Sequence, residues 1–274
     1  MTRGGNRPKA VTAAIQVGLG DVAATLALVA VAGAIAVWER TDLEGDIAVA
    51  AARAFVQLTA IGYVIKLIFA SDSIVWVPAL LAVMVVFGAF TARGRARLVP
   101  HAFWPLLLAL EAAATATLAV VLALGVFPAK AGYLVPVGGM VIGNAMTAAA
   151  VALNRLGDDI HDAAGRIEAT LALGATATQA IRPIAQRSLR SGMIPLIDST
   201  KTTGLIFFPG TMVGMLLAGA SPTDAVRLQL VPLYVLLGAV ALATLLAVLF
   251  SRRAFFTAEH QLREVAPPQS TVGA

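Results

Sequence analysis

Residues 154–190, NRLGDDIHDAAGRIEATLALGATATQAIRPIAQRSLR, form the longest polar interruption in an otherwise apolar chain. They carry five arginines (Arg155, Arg166, Arg182, Arg187, Arg190) and four acids (Asp158, Asp159, Asp162, Glu168). At helical spacing Ile160, Ala164, Ile167, Leu171, Gly174, Thr178 and Ile181 fall on one narrow stripe with the charges elsewhere. That pattern predicts a helix lying against a surface or a partner. Pro183 is expected to end or kink it, giving a helix–turn–helix piece rather than one rod. A charged helical hairpin between apolar runs needs an aqueous partner.

Outside this stretch the composition is that of a bilayer protein. The 274 residues are 59% hydrophobic and 13% charged, with a mean hydropathy of +0.85, whereas soluble domains carry about 25% charged residues. Apolar runs long enough to cross a bilayer, roughly 17–25 residues each, recur along the chain. The fold class is therefore all-α and polytopic, with about seven transmembrane helices and the 154–190 piece as a cytoplasmic amphipathic coupling hairpin. The absence of cysteine excludes disulfides, thiolate metal sites and cysteine nucleophiles. A net charge of +5 would suggest nucleic acid in a soluble protein. Here it fits loops held against an anionic leaflet, and no nucleic-acid partner is expected.

In chain order, residues 1–16 are a basic tail with Arg3, Arg7 and Lys9. The apolar run that follows is longer than the 7–15 residues of a signal-peptide core, so it is read as a span. Residues 17–153 hold spans 1–5 (17–38, 47–69, 74–91, 102–125 and 133–153). After the hairpin at 154–190, residues 191–250 hold spans 6 and 7 (192–219 and 225–250), and 251–274 form a polar tail. Seven crossings put twelve positive residues on the side of the hairpin and the C-terminal tail, against six on the other. The positive-inside bias then makes the hairpin and the C-terminus cytoplasmic and the N-terminus external. The basic N-terminal tail pulls the other way.

EATLALG at 168–174, with Ile184 further on, resembles the coupling-loop signature of ABC-transporter permeases, in which Glu-Ala, a glycine and an isoleucine recur in that order. Glu168, Ala169, Gly174 and Ile184 take these places, and the closing Leu-Pro is absent. Longer stretches point the same way: RAFVQLTAIGYVI (53–65), VPVGGMVIGNAMTAAAVALNRL (135–156), IEATLALGATATQAI (167–181) and MIPLIDSTKTTGLIFFPGTMVGMLLAGASPTDAVRLQ (193–229). They resemble the FetB-type permeases, a bacterial family of ABC transporters assigned to iron export, with plant relatives linked to aluminium tolerance. The resemblance implies a permease subunit in the bacterial inner (plasma) membrane, working as a homodimer and exporting iron or another metal. It also implies a separate cytoplasmic ATP-binding subunit carrying ATP and Mg, docked on Arg166, Glu168, Ala169, Gly174 and Ile184.

Ionisable groups within spans are costly, roughly 2.5–3.5 kcal/mol each on insertion scales, and so are candidates for function. Arg53 and Gln57 share a face of span 2, being four residues apart. Glu111 lies in span 4, and Asp198 and Lys201 can pair within span 6. Glu111 and Asp198, with Asn144 and Gln57, are candidates to line a polar path; mutual neutralisation and helix packing are the plainer alternative. No histidine lies within a span, which disfavours a histidine metal cage, and no metal ligands are assigned. GGMVIGNA (138–145) has phosphate-loop glycine spacing, but Asn144 and Ala145 stand where Lys and Ser/Thr are required. Gly139 and Gly143, and again Gly210 and Gly214, read instead as small-residue packing seams. Pro209-Gly210 is a candidate hinge in span 6.

No enzyme signature is present, and no cofactor is expected in this chain itself. The rival class is an ATP-independent secondary transporter using Glu111 or Asp198 as a proton or cation relay. A third is a structural membrane protein whose charges only pack.

Overall fold

A computed structural model describes residues 18–71, 75–257, 259 and 261–263. Within these residues the chain is helical throughout, with nine α-helices, one 3-10 turn at Arg252–Phe255 and only two isolated bridges. Six helices are long and apolar enough to cross a membrane. The basic tail at 1–16 and most of the tail after 257 lie outside the described residues.

Two compact units divide the chain. The first contains α1 (Leu19–Glu39) and α2 (Glu44–Ser71), which pack on each other. Its side chains are apolar yet almost entirely exposed, with Ala36 the one buried hydrophobic among its described residues. Water would not tolerate that surface, whereas lipid tails do, because a leucine is as comfortable among acyl chains as in a core.

The second unit holds α3 (Trp76–Arg93), α4 (Phe103–Ala123), α5 (Ala131–Asp162), α6 (Ala164–Ala172), α7 (Ala177–Thr202), α8 (Gly210–Leu217) and α9 (Pro222–Ser251). Here α5 packs on α3, α7 and α9, and α4 packs on α9. Small residues set the spacing. Ala145, Ala149, Ala152, Ala239, Ala243 and Ala247 are buried to within 1%. Gly192 of α7 makes the closest approach of a glycine to another helix's backbone: a Cβ there would sit 2.6 Å from the Ala148 carbonyl oxygen and 2.9 Å from the Ala152 Cβ. Without a hydrophobic drive between helices in lipid, such close backbone approach supplies the dispersion contacts that hold them.

The structure sharpens one expectation and revises two. Span 6, expected over 192–219 with interruptions at Pro195 and at Pro209-Gly210, continues through Pro195 and breaks ahead of Gly210. Helix α7 ends at Thr202, a seven-residue break follows at 203–209, and α8 begins at Gly210. Gly204 takes a left-handed φ of +83° and Pro209 brings no N–H, so the helical ladder cannot continue. Pro183 does not end the hairpin's second helix; α7 runs through both Pro183 and Pro195. The buried residues Ile181, Ile184 and Ser188 hold α7 in the core on either side of an exposed Pro183, and packing outweighs one missing hydrogen bond. The glycine seam is also different. Gly138 and Gly139 press on Leu81 and Met84 of α3, while Gly143, Gly210 and Gly214 face open space.

Candidate functional site: the helix ends around α6

The polar stretch 154–190 proves to be the end of α5, the short α6 and the first half of α7. Three members of its stripe are buried, Ile160 at 0% and Ile167 and Ile181 at 1% exposed, as is Ile184 at 1%, whereas Gly174 and Thr178 are exposed. Arg166, Glu168, Ala169 and Gly174 lie on the outer surface. Leu173, at the end of α6, is 90% exposed, although an apolar residue of that size gains nothing from water.

The turn that presents Leu173 is closed at both ends. The N–H of Gly174 donates to the Leu171 carbonyl at 2.9 Å, and that of Ala175 to the Thr170 carbonyl at 3.3 Å, the two bonds of a Schellman motif. This places Gly174 at φ +89°, and nothing lies within 4 Å of the position a Cβ would take, so glycine is needed there for its backbone and not for space. Two residues later Thr176 caps α7. Its Oγ1 accepts from the Gln179 N–H at 3.3 Å, and the Gln179 Oε1 accepts from the Thr176 N–H at 2.9 Å, a capping box.

Ile184 belongs to the buried cluster with Ile167 and Ile181. It therefore packs inward and has no exposed face to offer a partner. Four residues separate Ala169 from Gly174, one more than the three of the coupling-loop signature, so the match in spacing is inexact.

Beneath this surface lies an ion triad that the sequence reading did not single out. Asp159 of α5 is only 8% exposed. Its carboxylate meets the Arg155 Nε at 3.0 Å, one turn back on α5, and the Arg187 Nε of α7 at 3.5 Å. A buried carboxylate is tolerable only with such partners. The i,i+4 spacing of Arg155 and Asp159 was visible in the sequence; Arg187 joins only through the α5–α7 packing. The chain after α9 returns to the same end. Phe256 bridges to Leu262, and Glu259, Gln261 and Leu262 share a cavity of about 510 Å³ with Glu168, Leu171 and Ala175.

The intramembrane candidates do not form one cluster. Arg53 and Gln57 are exposed on α2 of the first unit. In the second unit Glu111 is exposed on α4 and accepts from the Thr115 Oγ1 at 3.2 Å. Asp198 and Lys201 are exposed and pair along α7 at 3.7 Å. Asn144 lines a groove of about 150 Å³ between α5, α7 and α9 that Thr147, Pro195 and Ser199 also line. Pro209 and Gly210 stand at the junction of the 203–209 break and α8. Among the described residues no group of three or more His, Cys, Asp or Glu is placed to hold a metal ion.

A helical, multi-pass membrane protein with this polar end is what the fold defines. The chain belongs to the uncharacterised protein family UPF0014, whose family model matches residues 19–256. It is 41% identical to the UPF0014 membrane protein STAR2 of Oryza sativa subsp. japonica, covering 90% of this chain and 86% of that protein. It is 36% identical to the protein ALUMINUM SENSITIVE 3 of Arabidopsis thaliana, over 90% of each. It is also 36% identical to the probable iron export permease protein FetB of Escherichia coli, over 88% of this chain and 93% of that protein. No solved structure matches.

Proposed function

We propose that this chain is the permease subunit of an ATP-driven metal exporter of the bacterial inner membrane, and that a separate cytoplasmic ATP-binding subunit docks on α6 and the 173–176 turn. The iron cargo rests on the name of the Escherichia coli relative. The single observation that carries the docking is Leu173, 90% exposed on a turn whose backbone is already closed by a Schellman motif and a capping box. A surface ordered before binding loses little entropy on docking, and moving an exposed leucine from water into a partner's apolar pocket is favourable. Movement of the partner would pass through Ile167 into the buried cluster and, by the Asp159–Arg187 pair, into α7. Two copies of the chain would enclose one path. ATP and Mg would be held by the partner, and this chain would do no bond chemistry itself.

The test is co-purification with candidate ATP-binding subunits, with ATP-driven metal flux read on the same samples. Leu173→Asp and Glu168→Arg are expected to abolish the complex and the flux together. Flux driven by an ion gradient without ATP, undiminished in both variants, would instead establish the secondary-transporter reading and move attention to Glu111 and Asp198.

A further inference from the structure

We infer that the cavity between the start of α7 and the 3-10 turn at Arg252–Phe255 binds the phosphate of an anionic phospholipid headgroup. The inference needs only that α9 crosses a membrane, and it stands apart from the transport reading.

Arg252, Arg253 and Thr257 line this cavity of about 440 Å³ together with Ala177 and Thr178 of α7, over a floor of Ile181 and Phe256. Among the described residues no carboxylate is in the lining, and neither arginine is in an ion pair. Arg252 is half-buried, and its Nε is buried with no hydrogen-bond partner among the described residues. A cation withdrawn from water without a partner is costly, so the site lacks an acceptor. Arg263 adds to the positive field, because its Nε donates to the Phe256 carbonyl at 3.1 Å and holds it beside the same turn. The Thr257 Oγ1 accepts from the Gln261 N–H at 3.2 Å, which leaves its own proton to give. Ala177 and Thr178 open α7, and their N–H groups precede the first intrahelical carbonyl. The capping box at Thr176 uses the Gln179 N–H instead. A second arginine-lined cavity, with Arg95, Arg97 and Arg155, differs: it also holds Asp158, and Arg155 is already paired with Asp159.

Arginine is the side chain that forks onto phosphate oxygens with two parallel hydrogen bonds. A free phosphate and a lipid phosphate share that chemistry, and the position of the cavity favours the lipid. Arg252 and Arg253 follow directly on the apolar run of α9, at the depth where headgroups lie. Gly238, Ala241, Leu245 and Leu249, spaced by three or four residues, make one face of α9 that is exposed or half-buried, and Arg252 continues the spacing. An acyl chain laid along that face brings its phosphate to the two arginines. The cavity also lies at the end of the molecule that carries the 154–190 stretch, where the positive-inside bias sets basic residues against an anionic leaflet. The 3-10 turn packs on both α7 and α9. A bound headgroup would therefore tie the end of α9 to the first turn of α7, next to the turn at 173–176.

The experiment adds phosphatidylglycerol, phosphatidylcholine or inorganic phosphate to the full chain in detergent and follows the bound molecules by native mass spectrometry. Phosphatidylglycerol is expected to bind about tenfold or more tightly than phosphatidylcholine. Arg252→Gln combined with Arg253→Gln is expected to remove that preference. Arg95→Gln combined with Arg97→Gln, an equal loss of charge at the second cavity, is expected to leave it within about twofold of the parent. Equal binding of the two lipids by the parent would overturn the site. So would an equal loss in the two double variants, which would reduce the effect to net charge. Inorganic phosphate bound in place of phosphatidylglycerol would overturn the lipid assignment and make the ligand a soluble anion. Arg253→Gln alone changes an exposed side chain and keeps the test open should the double variant fail to fold. A loss of about threefold or more in phosphatidylglycerol binding supports the site in that variant, and unchanged binding would overturn it.

Discussion

Two interruptions flank the two ends of α7, and they are closed by different means. At 173–176 glycine in a left-handed conformation is followed by a polar cap, with Gly174 and Ala175 closing α6 and Thr176 and Gln179 capping α7. At 203–209 another left-handed glycine, Gly204, gives its N–H to the Phe207 carbonyl at 2.9 Å. Around it Leu205 is 87% exposed and Ile206 79% exposed, and no side-chain cap starts α8. The first is a turn made for water, where Thr and Gln can replace solvent as hydrogen-bond partners. The second has backbone and, apart from Thr203, only apolar side chains. A break of that kind persists at membrane depth where protein or a water-filled cavity meets the freed groups. Both hang on the same helix, so the way to separate them is to disturb α7 at chosen points.

The largest effect is expected at Gly192, between the two interruptions. Gly192→Leu drives a side chain into the Ala148 carbonyl and the Ala152 Cβ, costing about 3 kcal/mol or more. Little monodisperse protein should elute from a sizing column, and both ends of α7 should become sensitive to protease.

Asp159→Ala is next. It leaves Arg155 and Arg187 facing each other without their shared carboxylate, for a loss of about 2–3 kcal/mol. The melting temperature should fall, and hydrogen exchange should rise in 155–187 but not in 203–217. A uniform rise would show that the two interruptions are one cooperative unit.

Gly174→Ala and Gly204→Ala form a matched pair, each placing a Cβ on a left-handed residue at about 1–2 kcal/mol. Only the first is expected to weaken association with the ATP-binding subunit. Thr176→Ala removes the cap of α7 for about 1 kcal/mol, and its effect should be confined to the first turn of that helix.

The smallest effect is expected for Gly214→Ala. Nothing lies within 4 Å of the position its Cβ would take, and alanine is the better helix former by about 1 kcal/mol. The thermal midpoint should hold or rise. A clear fall would mean that another chain packs against α8.

Hydropathy made the spans legible: α1, α2, α3, α4, α5 and α9 lie where apolar runs predict them. Of the residues that spacing placed on one helical stripe, Ile160, Ile167 and Ile181 are buried, but they stand on α5, α6 and α7 and meet through packing, while Gly174 and Thr178 are exposed. The break of span 6 was legible at Pro209-Gly210, but its start at Thr203 was not, since GLIFF is as apolar as a helix. Pro183 misled in the opposite direction. Its local penalty was real but smaller than the packing of the isoleucines around it.

The sequence by itself determined that this is a helical membrane protein with one charged end, because composition and periodicity are local properties of the chain. It also carried the turn chemistry at Gly174, Thr176 and Gln179, for capping bonds reach no further than a few residues. Only the tertiary structure decided that Arg187 would meet Asp159, that Ile184 would face inward, and that Asn144, Thr147 and Ser199 would share one groove. Those pairings join residues on different helices, and they depend on how closely backbones approach at Gly192, which no local pattern encodes.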